Sequence, residues 1–312
     1  MYRALKIVTR AISALPLGAA RAVGRSMGFL AYLTLRKHRA TNLADMARCF
    51  PDAAPADLRR RLRRVYQGLA TNYVEVLRWF GGRDAELEAL IRAEGMEHFA
   101  QARAAGRGVL VLTAHIGNWD LLGPWAARRA PLTIISKELR NAGANRFWQE
   151  ARAACGLRIL PAHNSYRACL ATLRRGEMLG FVLDQNVIRS EGIFVDFMGR
   201  PACTTPGLAY LAAHAQAPVL PVFMIRQRDG SHLVRIYPAL DPPPDRSPES
   251  IHAATQLYTR VIEDVIREFP DQWIWMHRRW RTQPAPDEPS SGAAVKTDSR
   301  RLVQDDNAQE TA

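Results

Sequence analysis

No acidic residue precedes Asp45, no two cysteines form a CxxC pair, and no uncharged apolar run near the N-terminus is long enough to cross a bilayer. The four cysteines, Cys49, Cys155, Cys169 and Cys203, also lack histidines at zinc-ligand spacing. That speaks against a disulfide framework or a zinc site and suits a reducing compartment, with the thiols buried as small apolar residues. A spanning helix needs roughly 18–20 apolar residues, and Arg10, Arg21, Arg25 and Arg36 interrupt every such stretch. The same recurring arginines are unlike a secretory signal, whose apolar core precedes its cleavage site. No internal repeat is found.

What is present is positive charge. Of 312 residues, 43 are Lys or Arg and 30 are Asp or Glu, a net charge of +13. Such a surface seeks anions: nucleic acid, anionic lipid or an acidic protein. With 47% hydrophobic and 23% charged residues, the chain reads as globular, which argues against wholesale disorder and against a multi-span membrane protein. Arg3, Lys6, Arg10, Arg21, Arg25, Arg36, Lys37 and Arg39 lie ahead of the first acid. At about 100° per residue, all but Lys37 share roughly a third of a helical wheel. Pro16 breaks this segment into two expected helices, 3–15 and 17–37. With Met27, Phe29 and Tyr32 beside them, they fit basic amphipathic helices lying in an anionic leaflet. A solvated basic face packed on the rest of the protein is the alternative.

Residues 1 to about 100 read as helical, including an Arg-rich run from Pro55 to Trp79. After Gly106 the texture changes. Gly108–Thr113 is a short β-branched run, and Leu132–Ser136, Arg158–Leu160, Leu179–Leu183, Val219–Ile225 and Leu233–Tyr237 are further strand candidates. Helical patterns at 118–129, 141–155, 164–174 and 205–216 lie between them, and another follows at 249–268. Alternation of this kind predicts an α/β fold, a mostly parallel central sheet flanked by helices, with an N-terminal helical layer. The expected divisions are 1–40 for the membrane-associating helices, 41–283 for the main domain and 284–312 for a disordered tail rich in Pro, Ser, Asp and Gln.

The first strand runs into Ala114-His115-Ile116-Gly117-Asn118-Trp119-Asp120. On one continuous helix His115 and Asp120 would point about 140° apart, but a strand–turn–helix brings them together. Gly117 then permits the turn, Asn118 caps the helix, and Asp120 lies in its first turn. An Asp so placed can hold the imidazole tautomer that leaves the other nitrogen free as a base. By itself the pair is weak evidence. A metal reading lacks neighbouring His or Cys ligands.

The wider phrase Thr113-Ala114-His115-Ile116-Gly117-Asn118-Trp119-Asp120 contains H-x4-D and resembles the bacterial lipid A late acyltransferases of the lysophospholipid acyltransferase superfamily. Other stretches match that family in order: Asn42-Leu43 with Cys49-Phe50-Pro51; Asn72-Tyr73-Val74-Glu75; Asp184-Gln185; and Val195-Asp196-Phe197-Met198-Gly199-Arg200-Pro201. Thr204-Thr205-Pro206-Gly207, Pro218 to Val222, and Trp275-Met276-His277-Arg278-Arg279-Trp280-Arg281 continue the series, which spans about residues 40–284.

The resemblance implies acyl transfer from a thioester, usually of acyl carrier protein, to a hydroxyl of a glycolipid at the cytoplasmic face of the inner membrane, without a cofactor or metal. His115 would be the general base and Asp120 its orienting carboxylate, with oxyanion donors expected among backbone N–H groups near the turn. Arg152 and Asp184 are expected to form an ion pair on the floor of the site. Arg140, Arg189 and Arg200 are candidates for phosphate or carrier-protein contact, and Asn118 is counted with them as substrate-facing. Where the wider superfamily carries Glu-Gly-Thr-Arg this chain has Asp184-Gln185-Asn186, so that phosphate-recognition role does not carry over. Trp273, Trp275 and Trp280 are read as core beside a basic edge of Arg278, Arg279 and Arg281, not as a nucleic-acid stacking surface. A phosphatidylinositol-mannoside type acyltransferase using acyl-CoA is the enzyme alternative, and a non-catalytic basic membrane- or nucleic-acid-binding module is the alternative from another class.

Overall fold

The run that ends at Thr113 divides its side chains between two cores: Leu110 and Leu112 join one apolar cluster, Val109 and Val111 the other. Period-two alternation with both sets buried is what a strand sandwiched between helical layers requires. In the computed structural model, residues 1–104 and 106–285 are described, so nearly all of the expected 284–312 tail lies outside the described residues.

Helices come first: α1 (Tyr2–Ala14), α2 (Leu17–Thr34), α3 (Arg36–Cys49) and α4 (Pro55–Arg78), the last passing through a π-turn at Trp79–Arg83 into α5 (Asp84–Glu88). Strands and helices then alternate as β1 (Ile91–Glu94), α6 (Met96–Ala104), β2 (Val109–Thr113), α7 (Trp119–Ala127), β3 (Leu132–Ser136), α8 (Ala142–Ala154), β4 (Leu157–Pro161), α9 (Tyr166–Arg174) and β5 (Met178–Val182). An antiparallel hairpin, β6 (Ile193–Phe197) and β7 (Arg200–Thr204), precedes α10 (Gly207–Ala215), β8 (Val219–Arg226), β9 (His232–Ile236) and α11 (Pro248–Glu268). Seven strands form the main sheet in the order β1-β9-β8-β2-β5-β3-β4. Every pairing in it is parallel except β8 with β9. The fold is the expected α/β class.

Three elements depart from the sequence reading. β1 lies inside the stretch read as wholly helical; only four residues long, with Arg92 and Glu94 exposed, it has no apolar run to announce it. The β6–β7 hairpin was not among the strand candidates. The second N-terminal helix stops at Thr34, where Leu35 leaves helical geometry, and α3 begins at once.

The N-terminal helices are fastened to α4. Arg78, 1% exposed, reaches back from α4 to donate to the carbonyls of Ile12 and Leu15 at 2.8 and 2.7 Å, satisfying the C-terminal end of α1. α2 lies so close to α4 that a Cβ on Gly28 would stand 2.3 Å from the Tyr66 carbonyl oxygen. Helix propensity alone favours alanine over glycine by up to about 1 kcal/mol. Gly28→Ala is nevertheless expected to destabilise, by about 1–3 kcal/mol of overpacking. A lower urea midpoint with an unchanged m value would show it; a raised midpoint would mean that α2 is free to lift from α4. Among the described residues, no helix is long and apolar enough to cross a membrane.

Candidate active site

The register of β2 against β5 builds the centre of the site. Thr113 pairs with Val182, and His115 and Asp184 each follow two residues later, so they leave the sheet edge side by side. His115 Nδ1 lies 2.8 Å from Asp184 Oδ1, and the His115 backbone N–H donates to Oδ2 at 3.0 Å. Trp273 Nε1–H donates to the same Oδ2 at 2.7 Å. Burial alone would raise the Asp184 pKa, but the facing imidazole and these donors hold it well below the ordinary carboxylate range. For His115, burial pushes the pKa down; the charge and hydrogen bond of Asp184 outweigh it, with Asp120 adding to them, and the imidazole pKa lies above its usual value. The carboxylate claims Nδ1–H and leaves Nε2 as the basic nitrogen.

The two expected carboxylate pairings are therefore exchanged. Asp120 does not hold the imidazole; its Oδ1 accepts from Arg152 at 2.7 Å, while Arg152 also donates to Ser136 Oγ at 3.2 Å. The Arg152–Asp184 ion pair is absent, because Asp184 is already occupied by His115 and Trp273. Asp120 sits in the first turn of α7, within reach of the last turn of α8, which carries Arg152.

Between strand and helix the turn is locked from below. Gly117 has φ +57°, and a Cβ there would stand 1.8 Å from the Met224 carbonyl oxygen, so side chains are excluded both by conformation and by space. The backbone N–H groups of Gly117 and Asn118 donate to Gln272 and Met224 carbonyls at 3.1 and 3.0 Å. Asn118 caps α7 through Leu121 N at 3.3 Å, as expected. It does not face substrate, however: it is fully buried and donates to Glu75 Oε2 at 2.9 Å.

Glu75 is the hub of a buried network. Its carboxylate accepts from Arg21 Nε at 2.7 Å and from both terminal nitrogens of Arg226 at 2.7 and 2.6 Å, with His232 Nε2 at 3.0 Å. Asn72 accepts from Arg226 at 2.7 Å and donates to the Gly117 carbonyl. The Asn72-Tyr73-Val74-Glu75 phrase thus holds the turn that carries His115. Arg21 belongs to this network and not to the exposed basic stripe in which the helical wheel placed it.

Beside His115 opens a cavity of about 1540 Å³, larger than the usual few hundred to 1,000 Å³ of small-ligand pockets. Val111, Trp125, Ile134, Phe181, Leu220 and Val222 make its walls apolar, and Asp120, Arg152, Gln185 and Arg189 also line it. Arg140 is exposed and does not line the cavity. Arg200 is drawn away from it, donating to Asp45 at 3.1 Å and stacking 4.2 Å over Trp280. The tryptophans 273, 275 and 280 are core, but Arg279 is not on a basic edge: it is fully buried and donates to the carbonyls of Gln185 and Cys203. Burial lowers its pKa to about 10.

Gln185 and His277 are the site residues that sequence reasoning missed. Both stand inside phrases already singled out, Asp184-Gln185 and the Trp275–Arg281 stretch, yet neither carries a charge or spacing that marks a role.

The site thus sets an imidazole, held at Nδ1 by a buried carboxylate, beside a large cavity with apolar walls. The chain belongs to the bacterial lipid A biosynthesis acyltransferase family, whose profile matches residues 3–282. It is 24% identical over 265 residues to a lipid A biosynthesis palmitoleoyltransferase of Escherichia coli (strain K12), covering 84% of this chain and 85% of that one. It is 27% identical over 244 residues to a phosphatidylinositol mannoside acyltransferase of Mycolicibacterium smegmatis, covering 77% of each. Among solved structures, the 1-acyl-sn-glycerophosphate acyltransferase of Thermotoga maritima is 13% identical and covers 83% of this chain and 100% of its own, with a TM-score of 0.38.

Proposed function

We propose that this acyltransferase moves a fatty acyl chain from an acyl carrier protein thioester to a hydroxyl of a lipid A precursor. The observation that carries the reading is the His115–Asp184 pair opening onto a cavity large and apolar enough for an acyl chain. His115 Nε2 removes the proton as the acceptor oxygen attacks the thioester carbonyl. The tetrahedral intermediate then collapses, the carbon–sulfur bond breaks, and the Nε2 proton passes to the departing thiolate. An ester and a free thiol result. Asp184 keeps the tautomer and offsets the imidazolium charge; Asp120, held by Arg152, adds negative charge facing the ring.

The cavity lining also includes Arg129, Lys137, Arg152, Arg167 and Arg189 against Asp120 and Glu191, a net positive lining suited to a phosphorylated acceptor or an acidic carrier. Membrane association at the cytoplasmic face of the inner membrane fits the N-terminal helices. α1 exposes Ile7 and Val8, α2 exposes Val23, Met27, Phe29, Leu30 and Leu33, and Arg3, Lys6, Arg10 and Arg25 are exposed on the same helices.

The mannoside acyltransferase relatives favour a second reading, with a mannoside acceptor, to which we join a coenzyme A donor. Initial rates with matched carrier-protein and coenzyme A thioesters separate the two, with each acceptor presented in anionic vesicles and the products read by mass spectrometry. The carrier thioester is expected to react faster at low ionic strength, with an advantage that shrinks as salt screens the encounter. Equal use of coenzyme A at every salt concentration would overturn the carrier reading. Labelled mannoside product without labelled lipid A would overturn the acceptor.

A further inference from the structure

The oxyanion of the tetrahedral intermediate needs donors, and the turn that follows β2 has none to spare. The backbone N–H of His115 is bound to Asp184, that of Ile116 to the Ala114 carbonyl, that of Gly117 to Gln272 and that of Asn118 to Met224. Those four amides, from His115 to Asn118, are consumed in holding the turn.

One side-chain donor stands at the reacting nitrogen instead. Gln185 Nε2 lies 3.1 Å from His115 Nε2 and 3.2 Å from His277 Nε2, the two rings being 4.9 Å apart. Hydrogen-bond chemistry settles which end of the amide is which. His115 gives its Nδ1–H to Asp184, so its Nε2 is an acceptor, and only an amide N–H can meet it. The same amide nitrogen faces His277 Nε2, which must then accept as well. Burial and the neighbouring His115 lower its pKa, which favours the neutral ring that such a bond requires.

The backbone of Gln185 is held as well, since its carbonyl accepts from the buried Arg279 at 3.2 Å. His277 and Arg279 belong to one short segment, so that segment fixes both ends of Gln185. Gln185 lines the cavity, whereas His277 stands behind it.

We propose that Gln185 is a catalytic residue whose side-chain N–H donates to the thioester carbonyl oxygen as it becomes the oxyanion, and that His277 is its positioning residue. The proposal rests on the acyl-transfer reading and deepens it. In the free enzyme the amide N–H rests on the base. The acceptor hydroxyl takes that place at Nε2, and the displaced N–H meets the oxygen that gains charge on the neighbouring carbonyl. His277 accepts the other amide hydrogen and keeps the nitrogen end turned inward throughout. No proton leaves Gln185, so the balance of the transfer is unchanged.

The test uses the full chain and four proteins: wild type, Q185A, H277A and the double variant. Removing one oxyanion donor lowers kcat by roughly 10²–10³, so Q185A is expected to fall by that factor with KM little changed. H277A is expected to lose less, about tenfold, and to cost nothing further when added to Q185A, because it acts only through the amide. A second readout needs no substrate. The Gln185 N–H stabilises the neutral imidazole, so its loss should raise the His115 pKa, seen by ¹⁵N NMR and as an acid limb moved to higher pH.

Q185A activity within about threefold of wild type would overturn the assignment and pass the role to the first-turn amides of α7. An H277A loss as large on the Q185A background as on wild type would overturn the positioning role. An unmoved His115 titration in Q185A would remove the hydrogen bond on which both rest. A wild-type enzyme that transfers no acyl group from any thioester refutes the acyl-transfer reading and takes this assignment with it, whereas active wild type beside active Q185A refutes this assignment alone.

Discussion

Asp184→Asn should cripple the enzyme nearly as badly as His115→Ala, and Asp120→Asn should do less harm than either. Losing a general base costs on the order of 10²–10⁴ in rate. Converting the carboxylate that holds the base to an amide costs up to about 10⁴ where it imposes the wrong tautomer. The side-chain amide introduced by Asp184→Asn would present an N–H to Nδ1, forcing the imidazole proton to Nε2, the nitrogen that must be free. The Asp184 carboxylate touches the ring at 2.8 Å, whereas Asp120 is engaged by Arg152. The pH profile supplies the sign. Asp184 raises the His115 pKa, so the wild-type acid limb should lie above the ordinary imidazole value of 6.5. In Asp184→Asn the residual limb should move to lower pH, since the neutral ring is no longer disfavoured. Asp120→Asn should move it in the same direction by less. Initial rates from about pH 5 to 9 for the three variants, with circular dichroism to confirm folding, decide the matter. A severe Asp120→Asn beside a mild Asp184→Asn would restore the pairing read from the sequence.

That pairing was misread for a definite reason. His115 and Asp120 stand five apart in one phrase, so their association was visible in the chain itself. Asp184 is 69 residues away from His115, and it becomes a neighbour only through the adjacency of β2 and β5. Nothing local specifies strand order in a parallel sheet, because each crossover helix permits several neighbours. With that adjacency known, the Thr113–Val182 register places Asp184 at once. The sheet's class was legible because buried parallel strands are continuous apolar runs. β1, with alternate charged residues at the sheet edge, gave no such signal. Arginine roles were the least legible part. Arg21, Arg152, Arg200 and Arg279 have the same formal charge, yet one joins a buried hub, one lines the cavity, one stacks on Trp280 and one is buried beneath Gln185. A guanidinium's job is set by which carboxylates and carbonyls the fold brings to it, and those arrive from distant segments.

The largest stability effect is expected at Glu75, which is fully buried although it carries charge. Burial would raise its pKa, but Arg226 and His232 hold it well below the ordinary value of 4.5. Glu75→Ala removes the one carboxylate shared by Arg21, Arg226 and His232, leaving charge buried without compensation. Breaking a buried pair in this way costs about 3–5 kcal/mol. Asn118 loses its acceptor, and Arg226, which donates to Asn72, loses its counter-ion, so the turn that carries His115 should loosen and kcat should fall even where the protein remains folded.

Acid should expose the network in two stages. Burial lowers the His232 pKa despite the attraction of Glu75, so the unfolded chain takes up that proton first. The His232 contribution should begin to fall as pH drops through about 6.5, the unfolded histidine value. The depressed Glu75 and Asp184 pKa values add stability that is full above the unfolded carboxylate range and lost as pH falls below it. Urea midpoints in wild type should therefore descend most between about pH 6 and 4, because above that range the raised His115 pKa opposes the lowered His232 pKa. In Glu75→Ala the midpoint should be low already at about pH 8, and its fall between about pH 6 and 4 should be shallower, because one of the two buried depressed carboxylates is gone. A variant with the wild-type midpoint at about pH 8 would mean that solvent reaches Arg226 and Arg21, and that the turn bearing His115 is held by Met224 and Gln272 alone.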